Sequence, residues 1–268
     1  MKILLCHERF VPRYGVDRVL LVLAREFRAA GHHVTLLGLR FDTDTPAPIC
    51  ADRVIQPPPP ASSLAADVEA TVWLTQHWEE YFAGGNRPDL VLTAGWPFLS
   101  AIRVFESRGC RVVYQDHGII PRDGMPEIGW RSLSLLENLK CLYLPAASAV
   151  VAVSAFLRDT QTQRIPGLRR PVEIIPNGID HGPDAESGHA AGGETPVTSG
   201  RPVRLLSLGR FEPGTYKASE KLFVLEEQVR AWAPDAWIAA FAAPETLRDA
   251  AGAESQTHIA AVGHPGDE

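Results

Sequence analysis

The chain has no excess of basic residues. Its 268 residues carry 26 Lys and Arg against 32 Asp and Glu, a formal net charge of −6. A general nucleic-acid binder shows the opposite balance, so no nucleic-acid partner is expected. Arg164, Arg169 and Arg170 read as a solvated surface, with a peripheral membrane contact left open. Cysteine is scarce. Cys6, Cys50, Cys110 and Cys141 are never two or three apart, which excludes zinc and redox spacings. Cys6, Cys110 and Cys141 lie in or beside apolar segments, where a free thiol acts as a small core residue. Long hydrophobic runs are absent too. The opening MKILLCHERF is apolar only as far as Cys6, too short for a signal-peptide core, and no stretch approaches the length of a membrane span. A cytoplasmic protein with reduced thiols is expected. The phosphate-binding pattern G-x-G-x-x-G is also missing, so neither a nicotinamide nor a flavin cofactor is expected.

What is present is ordinary for a packed globular protein: 45% hydrophobic and 22% charged residues, over a length sufficient for two domains. Short apolar runs alternate with longer amphipathic ones. Strands are expected at 2–6, 33–39, 89–95, 111–118, 149–154 and 172–176. Helices are expected at 17–31, from Ser62 or Ser63 to Phe82 and ended by Gly84-Gly85, at 98–109, at 127–143, and after Ser154. The stretch DTDTPAPICADRVIQPPPPASS reads as a proline-bearing loop. The strands alternate little, as in a parallel sheet covered on both faces, and repeated strand–helix units mean a doubly wound α/β domain. Pro176 and Asn177-Gly178 stop this unit at a turn. After a Gly-, Ala-, Ser-, Thr- and Pro-rich linker at 181–201 the grammar restarts: strands at 204–209, 236–242 and 258–263, with helices between them. The expected organisation is therefore an α/β protein of two Rossmann-like parallel-sheet domains, 1–180 and 202–268, the second incomplete.

Ligands of such sheets bind beyond the carboxyl ends of the strands, which selects the candidates. Gly15 lies between strand one and helix one, in a loop that serves equally well as connector or ligand loop. His117 follows the fourth strand in YQDHG; a lone His is more often structural, but a strand end with Gly beside it favours a site. Ser154 either faces the same cleft or caps the next helix, and the cap is the stronger reading of that residue alone. In SLGRFEPGTYKASEKLF, Gly209 and Arg210 end a strand and Lys217 follows seven residues later. Two such cations form a cradle for a diphosphate and stabilise it as a leaving group, or they are simply solvated. The Asp-x-Asp of Asp42 and Asp44 sits among Thr and Pro, is normal turn chemistry, and is not taken as a metal site. His32 and His33 are structural in this reading. Trp96 and Trp130 are stacking platforms or core residues.

The order of these features resembles glycosyltransferase family 4, of GT-B fold, over nearly the full length. The match is carried by VLLVLAREFRAAGHHVTLL, DHG, VVAVSAFLRD, VEIIPNGID and LLSLGRFEPGTYKASEKL. The resemblance implies two Rossmann-like domains and transfer of a sugar from a nucleotide diphosphate sugar, with retention of configuration and without an essential metal. It implies that Arg210 and Lys217 neutralise the diphosphate, that His117 lines the sugar pocket and that Gly15 lies in a loop near donor and acceptor. Ser154, Asn177 and Gly209 fall in the matching substrate-side segments. Three departures stand out. Tyr14 and Val16 flank Gly15 where the family has paired glycines, no Gly follows Lys217, and VGHPGDE ends before the family's two glutamates seven residues apart. A fragment and a short form completed by a homodimer mate or partner chain are both consistent with this ending. A non-catalytic binding subunit and a nucleotide-sugar epimerase are the competing functions. The acceptor, whether a sugar or a lipid-linked one, is not specified by these residues.

Overall fold

The computed structural model describes residues 1–12, 14–42, 50–118, 127–177, 204–210, 221–232, 237–241 and 259–262. The chain divides into two units, one of residues 1–120 and 127–181, the other of residues 121–126 and 182–268.

The first unit runs β1 (Lys2–Phe10), α1 (Gly15–Ala29), β2 (His33–Phe41), β3 (Arg53–Ile55), α2 (Ala66–Gln76), α3 (Trp78–Phe82), β4 (Leu90–Ala94), α4 (Ala101–Ser107), β5 (Arg111–Asp116), α5 (Glu127–Tyr143), β6 (Ala149–Ala152), α6 (Ala155–Arg164) and β7 (Glu173–Ile174). Its strands lie in the order β3-β2-β1-β4-β5-β6-β7, and every recorded pairing among them is parallel. The order reverses between β1 and β4, which makes that gap the topological switch point.

In this unit the expected strands and helices are found, with one addition, one shift and one break, the helix expected as far as Phe82 being divided at His77 into α2 and α3. The addition is β3, inside the stretch read as loop. Three residues are too few for a periodic signal, and the strand is held from beside it: Asp52 accepts from the Val34 N–H at 2.8 Å and from Arg28 at 3.0 Å. The shift is at α2. Ser62 Oγ accepts from the Ala65 N–H at 3.2 Å, so it closes the turn before the helix rather than capping it. Gly84 and Gly85 follow α3 with φ of 61° and 87°, which ends it as expected.

Two apolar cores explain why the strands hardly alternate. On one face, Leu4, Cys6, Val91, Val112, Tyr114 and Ala152 pack with residues of α2, α3, α4 and α6, Phe105 and Leu157 among them. On the other, Ile3, Leu5, Val34, Leu36, Leu92 and Ala94 meet Leu20, Leu21 and Ala24 of α1, a set spaced to share one helix face. Gly38 has a packing reason: a Cβ there would stand 2.9 Å from the Phe10 ring, which stacks on Phe41 with centroids 5.4 Å apart. Cys6, Cys50 and Cys110 are buried free thiols and Cys141 is partly buried.

In the second unit, β8 (Arg204–Arg210), α7 (Lys221–Trp232), β9 (Trp237–Phe241) and β10 (Ile259–Val262) give a parallel sheet ordered β10-β9-β8. The helix expected after β9, the linker at 181–201 and the Gly178 turn lie outside the described residues.

Candidate functional site

Two loops at the carboxyl end of the seven-stranded sheet gather part of the candidates. The first follows β5. Successive strand residues point to opposite faces, so Asp116 joins Tyr114 on the side of α5 and α6, while His117 joins Gln115 on the other. Asp116 is 3% exposed and Lys140 4%. Lys140 Nζ donates to Asp116 at 3.2 Å, and Gln161 Nε2 donates to the same oxygen. The other oxygen accepts from the Gly118 N–H at 3.3 Å. One carboxylate therefore ties α5, α6 and the turn carrying His117 to a single point.

His117 is half-buried, and among the described residues neither of its ring nitrogens has a hydrogen-bond partner. Burial is the main cause that lowers its pKa to about 4; the charge of His7 adds to this and Asp116 opposes it. At neutral pH the ring is uncharged, with one nitrogen to donate and one to accept.

The second loop joins β1 to α1. His7 closes both of its nitrogens against acceptors, Nδ1 on the Ala94 carbonyl at 2.6 Å and Nε2 on Asp17 at 3.1 Å. Asp17 is wholly buried and also accepts from Arg9 Nε at 3.1 Å and from the Val11 N–H at 3.0 Å. The Arg9 guanidinium lies 3.8 Å from the centre of the Tyr14 ring. Tyr14 thus has a stacking role in this loop, where the resemblance leads one to expect a second glycine. Gly15 opens α1, is exposed, and has nothing within 4 Å of where a Cβ would stand.

The other candidates are dispersed. Ser154 caps α6 by accepting from the Leu157 N–H at 3.3 Å, the cap that its position suggested. Asn177 is exposed just beyond β7. Trp96 is partly buried and Trp130 is 40% exposed. His32 and His33 lie at the opposite end of β2, away from these loops. In the second unit β8 ends on Arg210, and its register with β9 shifts between Ser207 and Arg210, across Gly209. Lys217 lies outside the described residues, and so does Asp44.

Inspection of the sequence singled out His117, Ser154 and Gly15 but missed His7, Arg9, Asp17, Asp116, Lys140 and Gln161. The signal available was local. Charged residues stand inside apolar runs in LLCHERF and YQDHG, where only a buried partner makes them tolerable. Their partners are up to 87 residues away, beyond any spacing rule.

The parallel α/β sheets of the two units are those of the GT-B fold. The glycosyltransferase family 4 model matches residues 14–182, and the chain belongs to that family. No curated protein matches it in sequence. Among solved structures it is similar to a glycosyltransferase from Rickettsia africae ESF-5, at 15% identity and a TM-score of 0.62, covering 99% of this chain and 69% of that one. It is similar also to the trehalose-6-phosphate structure from E. coli bound with UDP-2-fluoro glucose, at 13% identity, a TM-score of 0.58 and coverage of 100% and 74%. A UDP-GlcNAc 2-epimerase from Neisseria meningitidis shares the fold at 12% identity and a TM-score of 0.53, covering 98% and 72%. Among the described residues no helix is long and apolar enough to cross a membrane.

Proposed function

We propose that the protein transfers a sugar from a nucleotide diphosphate sugar, in the cytoplasm, with retention of configuration and without an essential metal. The observation that carries this reading is His117: an uncharged imidazole at the carboxyl end of a Rossmann-type sheet, with two unsatisfied nitrogens. A neutral ring of this kind suits a hydroxyl-bearing ligand and puts no fixed charge beside it. Membership of glycosyltransferase family 4 supports the reaction class.

In this reading Arg210 and Lys217 neutralise the diphosphate. Bond breaking between the sugar's anomeric carbon and the diphosphate oxygen leaves a second negative charge on the terminal phosphate of the departing group, and two fixed cations stabilise it more than they stabilise the intact donor. The acceptor hydroxyl oxygen bonds to the anomeric carbon, and its proton passes to the departing phosphate oxygen. Gly209, at the register shift that ends β8, leaves the backbone beside Arg210 without a side chain.

The test is release of free nucleotide diphosphate from UDP-glucose, UDP-N-acetylglucosamine or GDP-mannose in the presence of candidate acceptors, with and without excess chelator. Acceptor-dependent, chelator-resistant release that falls roughly 100-fold in Arg210→Ala and in Lys217→Ala is expected. Binding of nucleotide sugar with no turnover under any acceptor indicates a binding subunit instead. Loss of activity with chelator that Asp42→Ala/Asp44→Ala reproduces without chelator marks those carboxylates as the metal site set aside above.

A further inference from the structure

Gln115 is the fifth residue of β5 and sits in the middle of the sheet, beside Ala94 of β4 and Val151 of β6. It is 6% exposed, and its Oε1 is buried without a hydrogen-bond partner among the described residues. Buried polar atoms without partners are rare because desolvation is then uncompensated. Apolar neighbours on the same face, Leu92 and Ala94 among them, belong to a core that a Leu at 115 would extend. A carboxamide held there at a cost to stability calls for a ligand that satisfies it.

The surroundings say what kind. His117, two residues on and therefore on the same face, has two unpartnered nitrogens, and its pKa of about 4 leaves it neutral. The Ala94 carbonyl next door is already taken by His7. Nothing stands within 4 Å of where a Cβ would lie on Gly95 or Gly118, which end the two adjacent strands. The cluster thus offers a carboxamide, with one acceptor oxygen and an NH2 donor, and a ring that donates once and accepts once. Phosphate and carboxylate bring only acceptors and leave Oε1 unsatisfied. A hydroxyl donates and accepts at one atom, so it can give its proton to Oε1 while accepting from the ring. Thr93 Oγ1, also unpartnered, points to the other face with Cys6 and Tyr114 by the same alternation, and is not part of this cluster.

We propose that Gln115 accepts a hydrogen bond from a sugar hydroxyl that also engages His117, and is a specificity-determining residue of the transferase site. This rests on the glycosyltransferase reading above. The hydroxyl belongs to the transferred sugar or to a sugar acceptor, and both present the same chemistry.

The experiment compares the full chain with Gln115→Leu. Affinities for UDP-glucose, UDP-N-acetylglucosamine and GDP-mannose are measured by calorimetry beside those for UDP and GDP, and binding of methyl glycosides is followed by saturation-transfer NMR. About a tenfold loss is expected for one nucleotide sugar, with its bare diphosphate unchanged, and a melting temperature equal to or above that of the unmodified protein, because the orphaned acceptor is gone. A loss confined to the methyl glycosides, with the same thermal result, assigns the hydroxyl to the acceptor and upholds the role of Gln115. Unchanged affinity for every probe overturns it. So does an equal loss for sugar nucleotide and bare nucleotide with a lower melting temperature, which marks Gln115 as purely structural. Should Gln115→Leu fail to fold, deoxy analogues of the bound sugar decide the matter on the unmodified protein: one position must cost about tenfold, and indifference to all of them overturns the proposal. If the unmodified protein binds none of the nucleotides or glycosides, the transferase reading itself fails and the inference falls with it. Binding by the unmodified protein that Gln115→Leu leaves intact removes the inference alone.

Discussion

At the scale of single residues, His117 and Gly15 make opposite demands on the fold. The folded-state pKa of His117, about 4, lies below its ordinary value of 6.5, so the unfolded chain binds the proton more readily. The stability associated with the neutral ring is complete above about pH 6.5 and is lost as the pH falls towards 4. His117→Leu should flatten the dependence of unfolding free energy on pH across this window while abolishing or sharply reducing turnover. Urea unfolding at pH 7, 5.5 and 4.5 checks the first part; a slope equal to that of the unmodified protein would show that another group carries the effect. Gly15 is different. No neighbour fills the space where its Cβ would lie, and its φ is not in the left-handed region, so the fold does not require glycine there. Gly15→Ala should keep or slightly raise stability, since Ala is the better helix former by about 1 kcal/mol. A fall in turnover at unchanged melting temperature would identify a ligand that needs the empty space. Unchanged turnover would leave Gly15 as a connector.

At the scale of elements, the loops that carry the candidates are set by buried charges rather than by their own sequence. Asp116 joins Lys140 of α5 and Gln161 of α6 to the turn at Gly118. Lys140→Met removes one partner and leaves a carboxylate buried with too few donors, which costs about 3–5 kcal/mol. Chemical denaturation should show that loss, while Lys140→Met combined with Asp116→Leu should recover part of it, because an apolar pair of similar volume carries no unpaired charge. No recovery in the double variant would mean that the cluster is not a closed ion-pair unit. This dependence on remote partners also explains what the sequence made legible. Strands such as RVVYQD and AVVA declare themselves by composition, and α1 by its apolar face, since those signals are local. The three residues of β3 offer no period and are fixed by Asp52 and its pairing with β2. His117 stood out by position at a strand end, whereas Asp17 looked like any first-turn helix acid until Arg9, His7 and Val11 were seen to converge on it. Gln115 read as an ordinary strand residue, because whether a buried amide is satisfied depends entirely on its three-dimensional neighbours.

At the scale of the whole molecule, the two units differ in what they contain. Among the described residues, both apolar clusters of the seven-stranded sheet are made of residues between Ile3 and Val172, each face has its helices, and the buried polar groups Asp17, Asp67 and Asp116 find donors within that span. Each fully buried large side chain there contributes about 1.5–3 kcal/mol, and Tyr114, Phe10, Phe98 and Phe105 are of this kind. A chain of residues 1–181 should therefore fold by itself, with a cooperative unfolding transition and slow hydrogen exchange in β1, β4 and β5. It lacks Arg210 and Lys217, the pair assigned to the diphosphate. It should therefore bind UDP or GDP at least tenfold more weakly than the full chain, since removing one charge-assisted hydrogen bond weakens binding by about 1.5–3 kcal/mol. Circular dichroism, exchange mass spectrometry and calorimetry decide the two halves of the prediction separately. A fragment without a cooperative transition would show that the first unit's core is not self-sufficient. A folded fragment that binds nucleotide diphosphate as tightly as the full chain would remove Arg210 and Lys217 from the donor site and move the anion to the loops around Gly15.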